Sequence, residues 1–359
     1  MYWLVVILIF PYFVLLITIY RSLLKIKIFE VSKNPETFVS VIIACHNEQE
    51  NLPHLFNCIS VQNYPENLFE VIIVNDNSKD KTLEIATQFS IISNILVIDN
   101  KGTGKKQALR TGINTSRGDL IITTDADSTM GKNWIRTIVA YYEMNHDDMI
   151  ICPVQIESAP HFFGKLQDLE FLSLQGITAG SILSEKPTMC NGANLAFTRE
   201  AYLSHSYNLH DEINSGDDIF LLHSLKSQND SKISWLESPD ALVTTLSAST
   251  FASFLKQRGR WISKGKAYKD TDTIILGIVT FFAVILQMSC FIASIISPAV
   301  VWVFLVVVVL KSIPDYLILM NTTERYGRKK LMRWFLPAQF IYPFYVVSVV
   351  VYSLIFRDK

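Results

Sequence analysis

Apolar residues are concentrated at both ends of the chain, whereas the middle alternates between short apolar runs and mixed segments. The first 20 residues carry no charge, and the basic residues Arg21, Lys25 and Lys27 follow them. About 20 apolar residues are needed to cross about 30 Å of hydrocarbon. A cleaved signal peptide would place its basic residues first. The pattern therefore predicts a retained transmembrane helix over residues 1–24.

The C-terminal part of the chain is apolar again from Thr273 onwards. We divide it into three predicted transmembrane helices within 273–356, at about 273–296, 298–320 and 335–356. Basic loops stay on the cytoplasmic side of a membrane, and here the basic segments are 21–27, 256–269 and 325–333. This charge pattern predicts a multi-pass membrane protein whose middle domain is cytosolic.

The second of these predicted spans contains Lys311, Pro314 and Asp315. A re-entrant segment is the alternative to a full span at this point. Lys311 and Asp315 are four residues apart, so they share a helix face and could form an ion pair.

The middle of the chain, residues 38–250, has the pattern of an α/β domain. Short apolar runs rich in β-branched residues indicate buried parallel strands, and they lie at 38–44, 70–74, 95–98 and 120–124. Helical segments are predicted between and after them, near 48–62, 80–90, 104–115 and 131–144. This order predicts a mostly parallel sheet with helices on both faces.

Composition narrows the class of protein further. Only 18% of the residues are charged, 50% are apolar and the net charge is -1, against about 25% charged residues in soluble proteins. This balance excludes a disordered chain, a coiled coil and a basic nucleic-acid binder. The five cysteines form no C-x-x-C pair, which suits reduced thiols in the cytosol.

Acidic residues follow the predicted strands at the edge where α/β sheets bind ligands. Asp76 follows the second strand, and Asp125 and Asp127 follow the fourth. Two carboxylates two residues apart point the same way if the chain stays extended. Such hard oxygen ligands suit magnesium or manganese. The alternative is a loop whose aspartates only cap the next helix. No G-x-G-x-x-G motif follows the first strand, so a dinucleotide site is not indicated.

Two further motifs lie in the second half of the chain. Ser215-Gly216-Asp217-Asp218 places two acids together, although they could simply begin a helix, where the dipole favours carboxylates. Gln257-Arg258-Gly259-Arg260-Trp261 lies within an amphipathic segment, 251–270, just before the second membrane region. We predict that this segment lies in the membrane interface, with its basic residues at the head groups.

Taken in order, these motifs resemble the family-2 inverting glycosyltransferases of the GT-A fold. The resemblance spans about residues 38–265 and is closer to the membrane-embedded branch with cellulose, hyaluronan and poly-N-acetylglucosamine synthases and ceramide glucosyltransferase. It implies a GT-A, Rossmann-like domain flanked by one N-terminal and three C-terminal transmembrane helices. It also implies a divalent metal, magnesium or manganese, and a nucleotide-diphosphate sugar as donor.

The resemblance assigns roles to individual residues. It makes Asp218 the general base and places the metal at Asp127, with Asp125 contacting both metal and nucleotide. The remaining donor-binding residues that it implies are Asp76, Lys105, Asn194, Gln257, Arg260 and Trp261. The chain departs from the family pattern at Asn75, where the first of two acids is expected.

The expected protein is an inverting enzyme of the bacterial inner membrane that builds a β-linked cell-envelope glycan or glycolipid. Its donor is expected to be UDP-linked, its acceptor lipid-linked or a polysaccharide, and its partners membrane lipid and a second copy or a small membrane protein. One alternative is a transferase acting on a polyprenyl phosphate, whose anionic acceptor hardly needs a base. Another is a non-catalytic scaffold, which would be expected to lose the carboxylates.

Overall fold

The computed structural model describes residues 2–90, 94–210, 212–213, 215–228 and 230–355, and the chain divides into two compact units. Within these residues lie ten β-strands: β1 (Val39–Cys45), β2 (Phe69–Asn75), β3 (Ile95–Asp99), β4 (Leu120–Thr123), β5 (Thr129–Met130), β6 (Met149–Ile151), β7 (Val154–Glu157), β8 (Leu195–Thr198), β9 (Ile233–Trp235) and β10 (Val243–Leu246). They also contain twelve α-helices: α1 (Tyr2–Leu23), α2 (Leu52–Ser60), α3 (Thr82–Ser90), α4 (Lys105–Thr115), α5 (Trp134–Asn145), α6 (Phe162–Leu183), α7 (Arg199–His205), α8 (Asp217–Lys226), α9 (Phe251–Ser263), α10 (Thr271–Ile296), α11 (Val301–Arg325) and α12 (Phe335–Ile355).

The first unit, an α/β domain, contains residues 27–157 and 189–246. Its seven-stranded sheet has the order β3-β2-β1-β4-β8-β6-β9, and a second sheet has the order β5-β10-β7. Strands β1 to β4 pair in parallel, whereas β8 is antiparallel to both β4 and β6. The predicted mostly parallel sheet is confirmed, and each of the four predicted strands lies within one or two residues of its observed position.

The close approach of α4 to the sheet depends on a glycine. A Cβ atom on Gly112 would lie 2.6 Å from Cγ2 of Ile42 and 3.0 Å from Cγ2 of Val74. The helix can therefore pack directly on β1 and β2, where both contacted residues are fully buried. This packing fixes the helix whose N-terminus carries Gly104 and Lys105.

The second unit is helical and contains residues 1–26, 158–188 and 247–359. Among the residues described, four segments are long and apolar enough to cross a membrane: Trp3–Leu23, Thr271–Ile296, Pro298–Arg325 and Lys329–Ile355. One N-terminal and three C-terminal apolar helices were predicted, and this arrangement is confirmed. Met1 and Phe356, which bound the outer predicted spans, lie outside the described residues.

Helix α6 lies in the helical unit. This placement differs from the prediction, in which residues 38–250 form one continuous domain. Small residues explain its packing there. A Cβ atom on Gly180 would lie 2.6 Å from Ile19 of α1, and one on Gly176 would lie 2.6 Å from Thr322 of α11. Two glycines one turn apart thus bring α6 against two of the apolar helices.

The predicted ion pair in the third apolar segment is present. Lys311 donates to Asp315 over 2.8 Å and to Gln339 of α12 over 3.1 Å, while Tyr12 of α1 donates to Asp315. Helix α11 continues through Pro314 without a break. An intramembrane charge is costly unless it is paired. These contacts therefore reduce the cost of burying Lys311 and Asp315, the charged residues that had suggested a re-entrant segment.

The glycine contact on α4 can be tested with Gly112→Ala. We expect this change to destabilise the protein by about 1–3 kcal/mol, because overpacking outweighs the gain in helix propensity. Gly131→Ala is the matched control, since a Cβ atom there meets nothing within 4 Å. Thermal unfolding in detergent measures both. Equal melting temperatures for the two variants would contradict the tight contact.

Candidate active site

The Asp125-Ala126-Asp127 segment follows β4 at the carboxyl edge of the sheet. Ala126 is buried, whereas the two aspartates are partly exposed. The prediction that both acidic side chains point the same way assumed an extended chain, whereas residues 126–127 form a turn. Lys105, the first residue of α4, donates its ammonium to Asp125, and Thr245 of β10 donates to Oδ2 of Asp127 over 3.0 Å.

Lys105 lies among several carboxylates. Burial lowers the pKa of its ammonium, but the charges of Asp125, Asp217 and Asp218 and the hydrogen bond to Asp125 outweigh burial and raise the pKa above its usual value. Two motifs that are far apart in the sequence therefore act on a single cationic group. This result places the D-x-D segment and the start of α8 at one site.

Negative charge at the site is in excess of what Lys105 neutralises. The pKa of Asp127 is raised by burial and by the charge of Asp125, and the contacts with Thr245 and Lys105 only partly offset this rise. Burial also raises the pKa of Glu48; its hydrogen bond from Asn51 opposes the rise, and Asp127 and Asp125 add to it. Sequence reasoning gave no role to Glu48 or Thr245. Only the place of Glu48 after β1 could have indicated that it lies near the site.

Asp218 is the second residue of α8, and the residue before this helix is Gly216, whose φ of 95° is a conformation that favours glycine. Its Oδ2 accepts the backbone N–H of Gly192 over 3.1 Å, and its Oδ1 accepts that of Ile219 over 2.8 Å. The carboxylate is therefore oriented by two backbone donors. Both of its oxygens keep a lone pair that could accept a hydrogen bond from a further donor.

A tight turn connects Asp218 to the end of β4. Thr123 donates to the carbonyl of Gly192 over 3.0 Å, and Thr124 donates to that of Ala193 over 2.9 Å. The same turn gives the N–H of Gly192 to Asp218. The residues that immediately precede Asp125 thus hold the turn that orients the predicted base.

Asn194 does not fit its predicted role in contacting the donor sugar. Its side chain is 0% exposed; its amide donates to the carbonyls of Pro153 and Ala241 over 2.7 Å each and accepts from the Trp134 indole over 3.0 Å. These contacts leave it enclosed within the domain. We correct its role to a structural one, in which it holds the strand that follows the turn.

Asp76 is buried and fixes the loop before α4. Its carboxylate accepts the N–H of Gly104 at 3.0 and 2.9 Å and the amide of Asn100 at 2.7 Å. Asn75, where the family pattern has an acid, donates to Asp99 over 2.9 Å. Asp76 therefore positions the N-terminus of α4, and its contact with a nucleotide base stays a prediction.

Lys106, next to Lys105, is a buried residue that sequence reasoning overlooked. Its ammonium donates to the carbonyls of Leu209, His210 and Ile213 over 2.7, 2.9 and 2.7 Å. It therefore ties α4 to the segment that leads to α8. The two adjacent lysines have different functions, one at the surface of the site and one beneath it.

The other three predicted site residues lie on α9, in the helical unit. Arg260 is exposed, whereas Gln257 and Trp261 are partly buried. The structure thus groups Lys105, Asp125, Asp127 and Asp218 in the α/β domain and places these three in the helical unit. The contacts of Gln257, Arg260 and Trp261 with substrate stay predictions.

A mostly parallel sheet with carboxylates at its carboxyl edge defines a ligand-binding domain of the α/β class. Residues 40–204 match the family model "Glycosyl transferase family 2". This part of the chain is therefore a family-2 glycosyltransferase domain, which confirms the resemblance inferred from the motifs.

Known proteins similar to this chain include two bacterial transferases. A poly-beta-1,6-N-acetyl-D-glucosamine synthase from Staphylococcus epidermidis is 27% identical over 63% of this chain and 54% of its own length. An undecaprenyl-phosphate 4-deoxy-4-formamido-L-arabinose transferase from Pseudomonas savastanoi is 32% identical over 32% of this chain and 35% of its own. The chain spans about a quarter to a half of the length of the curated relatives that it matches.

One solved structure is similar to the chain over its whole length. It is a mannosyltransferase from Pyrobaculum calidifontis in complex with GDP-Man and Mn²⁺, with a TM-score of 0.58, 16% identity and 100% coverage of both chains. At this identity the likeness concerns the fold. It confirms a GT-A-type architecture.

The raised pKa of Asp127 predicts how pH affects stability. A carboxyl group with a raised pKa in the folded state stabilises the protein below its unfolded value of 3.8, and this contribution is lost as pH rises through the folded value. Without divalent ions, we therefore expect Asp127→Asn to be more stable than the unmodified protein at pH 7.5. The difference should shrink as pH falls towards 4.

Chemical or thermal unfolding in EDTA at several pH values measures this effect. Asp119→Asn is the control, because it removes the same charge from an exposed position at the opposite end of β4. A destabilised Asp127→Asn protein at pH 7.5 would show that the carboxylate is compensated in the folded state.

Proposed function

We propose that this protein is a membrane-bound inverting glycosyltransferase, which moves a sugar from a nucleotide-diphosphate sugar to an acceptor hydroxyl. The proposal is carried by one observation: Asp125 bonds to Lys105, and the charges of Asp217 and Asp218 act on the same ammonium. An acidic donor site and a candidate base thus lie around one cation in a family-2 domain.

A divalent metal fits the donor set of this site. Asp125 and Asp127 supply hard oxygen ligands, and the raised pKa of Asp127 reflects burial and uncompensated negative charge. No group of three or more His, Cys, Asp or Glu residues within the described ranges could hold a metal. Mg²⁺ and Mn²⁺ are commonly bound by one or two carboxylates together with substrate phosphates. When bound, such an ion supplies Lewis-acid stabilisation of the diphosphate leaving group.

The residues of the chain would then divide the reaction between them. Asp218 accepts the proton of the acceptor hydroxyl while that oxygen bonds to the anomeric carbon and the bond to the diphosphate breaks. Its two backbone donors hold the carboxylate in place. Lys105 contributes positive charge to the diphosphate, and Arg260 can donate to it through two parallel bonds. A single displacement inverts the configuration, so an α-linked donor gives a β-linked product.

The substrates follow from the relatives and from the apolar helices. We propose a UDP-linked donor whose base contacts Asp76, as the resemblance implies, and an acceptor that is lipid-linked or a polysaccharide. Trp261 offers a flat apolar face to an acceptor sugar. Four apolar helices fit a membrane protein, and we propose that the α/β domain is on the cytosolic side of a bacterial inner membrane.

A second candidate function is transfer to a polyprenyl phosphate. It is favoured by the 32% identity to the undecaprenyl-phosphate transferase. The acceptor in that reaction is already an anion, so a general base is not required. The two candidates therefore differ in how strongly they depend on Asp218.

Donor turnover separates an enzyme from a scaffold. The full chain in detergent would be incubated with UDP-glucose, UDP-N-acetylglucosamine or GDP-mannose, with Mg²⁺ or Mn²⁺, and nucleoside diphosphate release would be measured. We expect release from one donor, loss of release in EDTA and recovery on adding the metal, because the carboxylates need a cation to accept a diphosphate. Release that persists at full rate in EDTA would contradict the metal site.

Asp218→Asn tests the proposed base. We expect turnover to fall by about 10²–10⁴-fold, the usual contribution of general-base catalysis, with the donor KM nearly unchanged. Asp119→Asn again serves as the control for loss of one negative charge. Turnover within about twofold of the unmodified protein would favour transfer to a phosphate acceptor, since a factor of two is about 0.4 kcal/mol in barrier height.

A further inference from the structure

The two arginines of the Gln257–Trp261 motif have different environments. Arg260 is exposed, whereas Arg258 is buried with 6% of its surface accessible. Residues two apart on a helix differ by about 200° in direction, so the two side chains leave α9 on opposite sides. A substrate-binding role was predicted only for Arg260, and the buried arginine has no role in the proposed reaction.

Arg258 forms a largely buried ion pair with Glu170 of α6. Its Nε donates to both carboxylate oxygens over 3.1 Å, and its Nη2 donates to Oε2 over 2.6 Å. The side chains are only 7% and 12% exposed. Tyr345 of α12 donates its hydroxyl to the same carboxylate. A planar guanidinium with three such bonds has little freedom to rotate.

The remaining edge of the guanidinium determines the orientation of Gln257. Nη1 donates to Oε1 of Gln257 over 2.6 Å. Since a guanidinium can only donate, the amide must turn its oxygen towards Arg258. The NH₂ end is then the part of Gln257 that a ligand can meet. Gln257 is thereby set as a donor to oxygen atoms, such as those of a phosphate or a hydroxyl group.

The face of the same guanidinium determines the position of Trp261. The guanidinium carbon (Cζ) of Arg258 lies 4.1 Å from the Trp261 ring centroid and 4.7 Å from the Phe254 ring centroid. These three residues lie on one side of α9, at positions i, i+4 and i+7. Stacking of this kind contributes a cation–π attraction and restricts the ring.

We propose that Arg258 and Glu170 are positioning residues, which hold the Gln257 amide and the Trp261 ring in the orientation that the transfer reaction needs. Tyr345 connects this pair to α12, one of the apolar helices. The inference rests on the proposed function, in which Gln257 and Trp261 contact the substrates. It assigns a role to Arg258 and Glu170, which do not themselves contact the substrates.

The test is a double-mutant cycle on the full chain in detergent, with whichever of the three donors named above turns over. Arg258→Lys keeps the positive charge beside Glu170 but cannot bond to Gln257 and stack on Trp261 at once. We expect at least a tenfold loss of turnover, a small change in the donor KM and little change in melting temperature. Adding Gln257→Ala should then cost much less than it does in the unmodified protein, because coupled residues are non-additive.

Lys256→Ala is the matched control, since Lys256 is exposed on the same helix, and it should retain turnover. Full turnover in Arg258→Lys, or losses that simply multiply in the double variant, would overturn the inference. If Arg258→Lys is unstable, Glu170→Gln replaces it in the same cycle. That variant keeps the shape of the side chain but gives up one of the two oxygens that accept from Arg258, and the same two outcomes decide.

A spectroscopic readout separates this inference from the proposed function. The emission of Trp261 is obtained as the difference between each protein and its Trp261→Phe counterpart. We expect Arg258→Lys to shift this difference spectrum and Lys256→Ala to leave it unchanged. Absence of donor turnover combined with a shift would reject the proposed function but not the positioning. An unchanged spectrum in Arg258→Lys would reject the positioning, whatever the activity.

Discussion

The burial of several carboxylates close to one another is the constraint on which the candidate site depends. Asp125, Asp127 and Glu48 are brought together after two parallel strands, where burial and mutual repulsion raise the pKa of Asp127 and Glu48. The single ammonium of Lys105 cannot neutralise them and the acids of α8 together. Under the proposed function, a nucleotide diphosphate would add further negative charge, so its binding would require additional cations. The cost of gathering the acids thus explains why a site of this kind would bind donor and divalent ion together.

Backbone groups rather than further charged residues place Asp218 at this site. The backbone N–H of Gly192 donates to the Asp218 carboxylate. The hydroxyl groups of Thr123 and Thr124, at the end of β4, donate to carbonyls of the same turn. Such bonds orient a carboxylate through backbone groups that do not themselves titrate. The strand that leads to Asp125 and Asp127 and the helix that presents the candidate base are therefore coupled through one short segment.

The fold was predictable from the sequence because strands β1, β2 and β4 are buried on both faces and, like the edge strand β3, read as apolar runs. The D-x-D segment was predictable because the carboxyl ends of parallel strands meet at one edge. Asn194 was assigned wrongly because its motif indicates a place in the chain and not the depth of the side chain: its partners are 41 to 60 residues away. The placement of α6 was missed for a similar reason, since its contacts with α1 and α11 depend on distant residues that meet Gly176 and Gly180.

The helix that carries Gln257 shows where local sequence reasoning ends. Helical geometry alone places Arg258 on the side of Phe254 and Trp261, away from Arg260, so the burial of one arginine could have been predicted from spacing. A buried guanidinium needs a partner of opposite charge, so the presence of such a partner could have been predicted as well. The identity of the partner is not, because Glu170 is 88 residues away on another helix and no spacing rule connects them. The motif therefore names the residues that could meet a substrate, whereas the three-dimensional contacts name those that keep them in place.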